Sequence, residues 1–355
     1  MVKKNRKNYR IDLKRIWYHI IKIFISTGLF FFFKKILVND PENIPKKGAV
    51  LLVSNHKNAL LDPLLIATTT KRNIHFLTRA SAFKVRPIKW LLSTVNMLPI
   101  YRLRDGKETL AKNEIIFNKC YDILNKNKSL LIFPEATHDI RRLIRPLSKG
   151  FTRITFGFLE QNPKIELRIV PVGLNYTNAE KFAESVSIYY GKPILVNDYF
   201  DPNDINSSTV NLKNVVSERM KELTTHIDPK NYDKTIKLLG NVDYLNPKKV
   251  NDLLKELPNS SYKRPPFKEP SIVWKFLKVL VSINSFAPIL IYKAIAPNIK
   301  EIEFVSTTKF AIGITAFPVF YLVQSLAIFY YAGIKIATMY AITSVLLVLL
   351  LAKTK

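Results

Sequence analysis

The sequence predicts an α/β protein: a mixed central sheet flanked by helices, with a membrane-associated segment at each end of the chain. In the middle of the chain, short apolar runs alternate with segments of helical periodicity, the pattern of a sheet covered by helices. At the two ends, apolar stretches approach the roughly 20 residues that a membrane-crossing helix needs. A chain of 355 residues is long enough for one such domain with one or two appendages.

The first segment, residues 1–38, predicts a basic and aromatic helix lying in a membrane interface. Basic residues crowd positions 3–15, and positions 16–33 are almost wholly apolar or aromatic. Lys22 interrupts the apolar stretch, and two lysines follow it where a signal peptide would end in small residues. We therefore expect an interfacial helix, with a membrane span and a helix of the domain core as the alternatives.

The second segment, residues 39–227, carries the alternating pattern of the α/β domain. Continuously apolar runs such as Ala49 to Val53 suit strands that are buried on both faces. Asp105 and Glu108 form a capping-box pattern at the start of a helix. Strands are expected at 49–54, 73–78, 97–101, 129–133, 167–174 and 186–192, and helices at 63–70, 106–126, 149–160 and 209–225.

The third segment, residues 228–270, is polar and is expected to be an insertion or linker with a short helix near 247–256. The rest of the chain, 271–355, is apolar again. Residues 272–296 contain lysines and a proline, which indicates an interfacial or re-entrant helix, with an ordinary buried helix as the alternative.

Two long apolar runs close the sequence, at 310–332 and 334–352, with Gly333 between them. Each is close to the length of a membrane span, so together they predict a transmembrane helical hairpin. Lysines flank both outer ends, which favours the cytoplasmic side for those ends.

The net charge of +28, from 55 Lys and Arg against 27 Asp and Glu, predicts an anionic partner. Nucleic acid, lipid head groups and a polyphosphate ligand all fit this charge. The apolar ends favour a membrane, and no recognisable nucleic-acid-binding module is present. Cys120 is the only cysteine, so an intrachain disulfide is excluded.

Acid–base residues follow two of the predicted strands. His56 ends the apolar run at 49–53, and Asp62 follows within one short loop. Residues 130–138 repeat this layout, with Glu135 and His138 directly after an apolar strand. Because the carboxyl ends of strands in an α/β sheet form one edge, these groups predict a single site. A histidine beside a carboxylate can take a proton from a hydroxyl, and the arginines at 102 and 104 suit a phosphate.

These motifs resemble the sequence blocks of the glycerolipid acyltransferases, the family of 1-acyl-sn-glycerol-3-phosphate acyltransferase. The resemblance spans roughly residues 40 to 200, and four blocks occur in the family's order. They are Asn55-His56 to Asp62, Arg102, Phe133 to Thr137, and Val170-Pro171-Val172.

The resemblance implies a role for each matching residue. His56 would be the general base and Asp62 would orient its imidazole, so that no covalent acyl-enzyme is required. Asp62 followed by Pro63 also fits an ordinary helix start with Asp62 as the N-cap. The substrate-binding candidates are Arg102, Glu135, Thr137, Arg104 and Asn55, with Arg79 as a further phosphate contact and Lys149 and Arg153, at the next helix start, as contacts to phosphates of the acceptor or donor.

Two positions depart from the family pattern. Five residues separate His56 from Asp62, where four are commoner, and this variant resembles a subgroup that includes fungal glycerol-3-phosphate acyltransferases. Ala136 replaces the usual glycine of its block. If the small size or backbone angle of that glycine serves the site, a catalytically silent lipid-binding or scaffold protein becomes the alternative.

We therefore expect a membrane-bound O-acyltransferase of phospholipid biosynthesis on the cytoplasmic face of a bacterial inner membrane. It would transfer an acyl chain from acyl-CoA or acyl-carrier protein to lysophosphatidate, with glycerol 3-phosphate as the alternative acceptor. No cofactor is expected beyond the acyl donor. His138 and Asp139, taken with His56, Asp62 and Glu135, lack metal-ligand spacing, so no metal is expected.

Overall fold

The computed structural model describes residues 13–84, 86–101, 107–257, 262, 264–266 and 269–355. It contains one sheet of eight strands in the order β1-β7-β6-β2-β5-β3-β4, with β8 paired to β6. All pairings are parallel except those of β6 with β7 and with β8, so the predicted mixed sheet is confirmed. The strands are β1 (Lys35–Asn39), β2 (Ala49–Ser54), β3 (Ile74–Arg79), β4 (Met97–Ile100), β5 (Ser129–Ile132), β6 (Leu167–Tyr176), β7 (Ser185–Tyr190) and β8 (Ile194–Leu195).

Helices cover both faces of the sheet, as the continuously apolar strands predict. Every residue of β2 and of β5 is buried. Along β2, Leu51 packs in one core layer and Leu52 in the other, which is the alternation that a strand imposes. The helices of this part are α1 (Leu13–Phe32), α2 (Leu61–Thr69), α3 (Arg86–Thr94), α4 (Lys107–Asn125), α5 (Gly150–Gln161), α6 (Ile205–Leu223), α7 (Tyr232–Leu239) and α8 (Pro247–Glu256).

The boundary between the N-terminal helix and the domain lies earlier in the chain than the sequence suggests. Residues 35–39 form β1, which pairs with β7, so the sheet begins four residues before position 39. The short edge strand escaped prediction because three of its five side chains are exposed and its apolar run, Ile36 to Val38, is only three residues long. Three further elements were not expected from the sequence: β8, α3 and α7.

The helix α1 serves the core as well as the surface. At its C-terminal end, Leu29 and Phe32 are buried against residues of the strands, and so is Phe33, which follows the helix. Its earlier turns leave Ile16, Ile20 and other apolar side chains exposed. The alternative of a helix in the domain core is therefore correct for the C-terminal end of α1, while the earlier turns present an apolar surface. By length and composition α1 is also long enough to cross a membrane.

The C-terminal region contains α9 (Ile272–Asn284), α10 (Phe286–Ile295) and α11 (Phe304–Lys353). The first two helices meet at a bend of 90°, in the segment predicted to be interfacial or re-entrant. The third has a break at Gly333, whose φ of 78° is the left-handed backbone that glycine adopts without strain. We call residues 304–332 the first arm and residues 334–353 the second arm.

The two arms lie side by side, as a hairpin requires. Asn284 donates to Ser344 of the second arm and accepts through its backbone from Gln324 of the first. At the base of the hairpin, Lys309 and Lys355 both bond to the loop between β6 and β7. The chain therefore returns to its starting side, and α11 is apolar enough to cross a membrane.

A close contact between sheet and helix yields the first testable prediction. A Cβ at Gly173 of β6 would lie 2.2 Å from the backbone oxygen of Leu223, where α6 ends. Because backbone is on the opposing side, we expect Gly173→Ala to lower the free energy of unfolding by about 1–3 kcal/mol. Thermal unfolding of the purified protein measures this, with Gly150→Ala as control, since in the described part of the chain that Cβ would meet Ser148 Oγ at an ordinary contact distance of 3.6 Å. Equal melting temperatures of the two variants would contradict the prediction.

Candidate active site

Polar side chains lie at the carboxyl ends of three neighbouring parallel strands, β2, β5 and β3, at one edge of the sheet. The strand order there is β2, β5, β3, β4. His56 follows β2, Glu135 follows β5, and Arg79 ends β3 in register with Ile100 of β4. The structure therefore brings together three of the predicted site residues along one edge, as parallel strands should.

The imidazole of His56 is oriented from two sides. Its Nδ1 lies 2.8 Å from Oδ2 of Asp62, and its ring stacks on Phe133 with 4.0 Å between centroids. The side chain of His56 is 13% exposed, while that of Asp62 is fully buried. Because Nδ1 donates its proton to the carboxylate, Nε2 is left unprotonated and can accept one.

The carboxylate of Asp62 accepts four hydrogen bonds. Besides His56, the backbone amides of Lys57 and Asn58 each donate to Oδ2 at 2.7 Å. The hydroxyl of Tyr176, at the end of β6, donates to Oδ1 at 2.5 Å. Burial beside the Asp62 charge raises the pKa of Tyr176 well above its usual value, so this hydroxyl keeps its proton and remains a donor.

The prediction that Asp62 is an N-cap was wrong. The helix α2 begins at Leu61, and no side chain caps it at Leu60. Asp62 lies in the first turn, and its oxygens accept from the loop before the helix rather than from the helix amides. The favourable position of a carboxylate in the first turn remains.

Asn55 is not placed to contact a substrate. Its side-chain amide donates to the carbonyl of Leu174 and its oxygen accepts from the amide of the same residue, at 3.0 and 2.8 Å. The residue is fully buried. Asn55 therefore extends the pairing of β2 with β6 by one side chain, and its expected substrate-binding role is corrected to a structural one.

Glu135 and Thr137 are joined by Arg145, a residue that the sequence analysis did not select. Arg145 Nε lies 2.7 Å from Oε2 of Glu135, and the same guanidinium donates to the hydroxyl and carbonyl of Thr137. The other oxygen of Glu135, Oε1, is buried without a partner among the described residues. Between them, Ala136 has a φ of 62°, so an alanine here adopts the left-handed backbone that favours glycine.

The basic candidates separate into three groups. Arg102 and Arg104 lie outside the described residues. Arg79 has a buried Nε with no hydrogen-bond partner in the described part of the chain. Lys149 immediately precedes α5 next to Ser148, whose amide bonds to the carbonyl of Pro134, whereas Arg153 lies over the ring of Phe117 on α4, 5.4 Å from its centroid.

Lys57, next to the base, has a structural role that its sequence context conceals. It is buried, and its ammonium donates to the carbonyls of Arg141 and Leu143. Burial lowers the pKa of Lys57 to about 8. The residue therefore ties the loop after β5 to the base rather than meeting solvent.

His138 lies beside the base, with 5.6 Å between its ring and that of His56. Its Nε2 lies 2.5 Å from Oε2 of Glu301, a residue of the C-terminal region. The donor atoms of His138, Glu301 and Glu303 lie within 4.8 Å of one another among the described residues. A hydrogen bond already joins two of the three, and we assign no metal to them.

Comparison with known proteins gives consistent matches. A family model described as "Acyltransferase" matches residues 35–175. Glycerol-3-phosphate O-acyltransferase 1 of Saccharomyces cerevisiae is 21% identical over 59% of this chain and 40% of its own length. A probable 1-acyl-sn-glycerol-3-phosphate acyltransferase of Mycoplasma pneumoniae is 23% identical over 57% of this chain and 76% of its own.

Among solved structures, the 1-acyl-sn-glycerophosphate acyltransferase of Thermotoga maritima aligns with a TM-score of 0.42 at 17% identity, over 58% of this chain and 80% of that one. The chain thus spans less than half the length of the yeast relative and about three quarters of the mycoplasmal one. The family model begins at the first residue of β1 and ends one residue before Tyr176. These matches confirm the resemblance of the sequence motifs to the glycerolipid acyltransferase family.

Proposed function

We propose that this protein transfers a fatty acyl group from acyl-CoA or acyl-carrier protein to the free hydroxyl of lysophosphatidate. The observation that carries this proposal is the hydrogen-bonded pair of His56 and the buried Asp62, at the sheet edge that also holds Arg79 and Glu135. The family match supports the reaction class. No cofactor other than the acyl donor enters the proposed reaction.

In the proposed reaction, His56 is the general base. Nε2 takes the proton of the acceptor hydroxyl while that oxygen attacks the thioester carbonyl carbon. Asp62 stabilises the imidazolium that forms, and Tyr176 and two backbone amides hold the carboxylate in place. The tetrahedral intermediate then collapses with loss of the thiolate, which takes the proton back from the imidazolium.

Two unsatisfied groups support a phosphorylated acceptor. The Nε of Arg79 is a buried donor without a partner in the described chain, and Oε1 of Glu135 is a buried acceptor in the same condition. Buried polar groups are normally hydrogen-bonded, so unpaired ones at neighbouring strand ends suit a polar ligand. We assign the phosphate to Arg79, together with Arg102, and a glycerol hydroxyl to Glu135.

Glycerol 3-phosphate is the alternative acceptor. The five-residue interval between His56 and Asp62 and the name of the yeast relative favour it. Lysophosphatidate is favoured by the name of the mycoplasmal relative. It is also favoured by the position of Phe304, which lies 5.3 Å from the ring of His138 and begins the apolar first arm.

We further propose that the enzyme acts at the cytoplasmic face of a bacterial inner membrane. Helices long and apolar enough to cross a membrane support the membrane location. The lysines at the base of the hairpin support the orientation. The test of the whole proposal is to incubate purified protein with acyl-CoA or acyl-carrier protein and a panel of phosphorylated and unphosphorylated acceptors, with products identified by mass. Absence of transfer to every glycerophosphate acceptor would contradict it.

We predict that His56→Ala lowers turnover by about 10²- to 10⁴-fold, because general-base catalysis typically contributes this much. Membrane insertion should remain intact. His19→Ala is the matched control, since His19 is exposed and, among the described residues, its Nδ1 bonds to Arg15 O in the same helix, far in sequence from the site. Retention of more than about a tenth of wild-type turnover in His56→Ala would refute the base assignment.

We predict that Asp62→Asn separates catalysis from folding. The amide oxygen can still accept from the Lys57 and Asn58 amides, and the amide nitrogen can donate to the Tyr176 oxygen, but the charge that supports the imidazolium is lost. Turnover should fall on the order of 10³- to 10⁴-fold. The free energy of unfolding should fall by only about 1–3 kcal/mol. A variant that unfolds readily yet is fully active when folded would assign Asp62 a purely structural role.

The alternative of a silent lipid-binding relative rests on Ala136. Because Ala136 retains the left-handed backbone, the site geometry is kept at a cost in strain. We predict that Ala136→Gly raises the free energy of unfolding by about 1 kcal/mol and leaves turnover within a few-fold of wild type. The control is Ala111→Gly at an exposed position of α4, which should lower stability by about 1 kcal/mol. An inactive wild type that gains transfer activity with Ala136→Gly would favour the silent relative.

A further inference from the structure

The short linker between His56 and Asp62 is held by hydrogen bonds to Asp62 and also by hydrogen bonds to the C-terminal region. The amides of Lys57 and Asn58 donate to Asp62. The next two amides have partners in the C-terminal region: Ala59 N donates to the carbonyl of Glu303 at 3.4 Å, and Leu60 N donates to Thr307 Oγ1 at 3.1 Å. The four linker amides after the base are therefore shared between the catalytic carboxylate and the start of α11.

Thr307 uses both hydrogen-bonding functions of its hydroxyl on this linker. It accepts from the amide of Leu60 and donates to Oδ1 of Asn58 at 3.2 Å. The amide group of Asn58 in turn donates to the carbonyl of Ala179 at 2.7 Å, and Asn58 is 1% exposed. A hydroxyl can fill both roles at once, whereas an isosteric valine can fill neither. The linker is thus clamped between α11 and the loop after β6.

Neighbouring residues fix where Thr307 sits. Phe310, one turn further along α11, is 1% exposed in the core of the domain. Lys309 donates to the carbonyl of Glu180 at 2.9 Å. Glu301 bonds to His138, which lies beside the base. The start of the first arm is therefore seated in the domain and does not merely lead to the membrane.

We propose that residues 301–307 complete the active site and that Thr307 is a positioning residue for the base. This inference rests on the proposed acyl transfer. The five-residue linker is too long for Asp62 to satisfy all of its amides, and a segment some 240 residues away in sequence supplies the missing partners. The apolar hairpin, which is long enough to cross a membrane, then also sets the geometry of the His56–Asp62 pair.

The test compares three variants of the full-length protein in lipid vesicles. Thr307→Val removes both hydrogen bonds at nearly constant shape, and Thr307→Ser keeps them. Thr308→Val is the matched control, because Thr308 is partly exposed and, among the described residues, its hydroxyl donates to Phe304 O of its own helix and not to the linker. We expect Thr307→Val to lower kcat by about 10- to 100-fold, with KM for the acceptor little changed, since the base is displaced rather than the binding groups. Thr307→Ser and Thr308→Val should retain wild-type kcat.

A second measurement removes the side chain of Asn58, the linker residue that accepts the hydrogen bond from Thr307. Asn58→Ala should lower kcat in the same way, and the double variant with Thr307→Val should lose little more than either single one, because both act through one linker. If Thr307→Val does not accumulate as folded protein, Asn58→Ala carries the test alone, with the same expected loss.

Undiminished kcat in Thr307→Val or Asn58→Ala, alongside an active wild type, would overturn the clamp and leave the proposed function standing. A rise in KM with kcat unchanged would also overturn it, because that result would assign Thr307 to acceptor binding. A wild type that transfers nothing would overturn the proposed function, and the catalytic role of the clamp with it.

Discussion

The buried carboxylate of Asp62 is the group on which the site depends. Removing an ionised carboxylate from water is costly unless hydrogen bonds replace the lost hydration. Here four donors replace it: the His56 ring, two linker amides and the Tyr176 hydroxyl. The His56 ring follows β2, the two amides belong to the loop between β2 and α2, and the Tyr176 hydroxyl lies at the end of β6. The pairing of Ser54 with Val172 brings the ends of β2 and β6 together. Satisfying one charge therefore fixes the base, the linker and two strand ends at once.

Basic residues inside the domain hold the loop after β5 around this centre. Lys57 donates to two carbonyls of that loop, and Arg142 donates to the carbonyls of Tyr176 and Thr177 while its guanidinium lies 3.5 Å from the ring centroid of Tyr244. Arg145 bonds to Glu135 and Thr137. A part of the large positive charge is thus structural. Net charge by itself indicated an anionic partner, but these side chains are taken up by carbonyls and carboxylates of the protein.

The C-terminal region and the α/β domain pack together as one unit in the described chain. Phe310 of the first arm lies in the same core layer as Leu29 of α1. Lys353 of the second arm donates to the carbonyls of Phe30 and Phe33, where α1 ends. The apolar ends of the sequence therefore meet each other at the domain, on the face of the sheet that carries α2. This contact places the site beside the apolar helices.

The sequence by itself determined the sheet-forming core, the hairpin and the pairing of His56 with Asp62. Continuous apolar runs, a glycine between two long apolar stretches and a short-range motif are local signals, so they can be read without the fold. Prediction from the sequence failed at two places where the local signal is weak or misleading. One is the exposed edge strand β1, and the other is Asn55, whose polar side chain extends the pairing of β2 with β6. Tertiary structure alone selected Tyr176, Arg145 and Thr307 as supports of the site. Tyr176 and Thr307 lie more than 100 residues from their partners Asp62 and Leu60, and Arg145 is one arginine among several in a basic loop. Only the packing of β6 against β2 and of α11 against the linker decides which of many similar side chains meets the buried charge or the free amides.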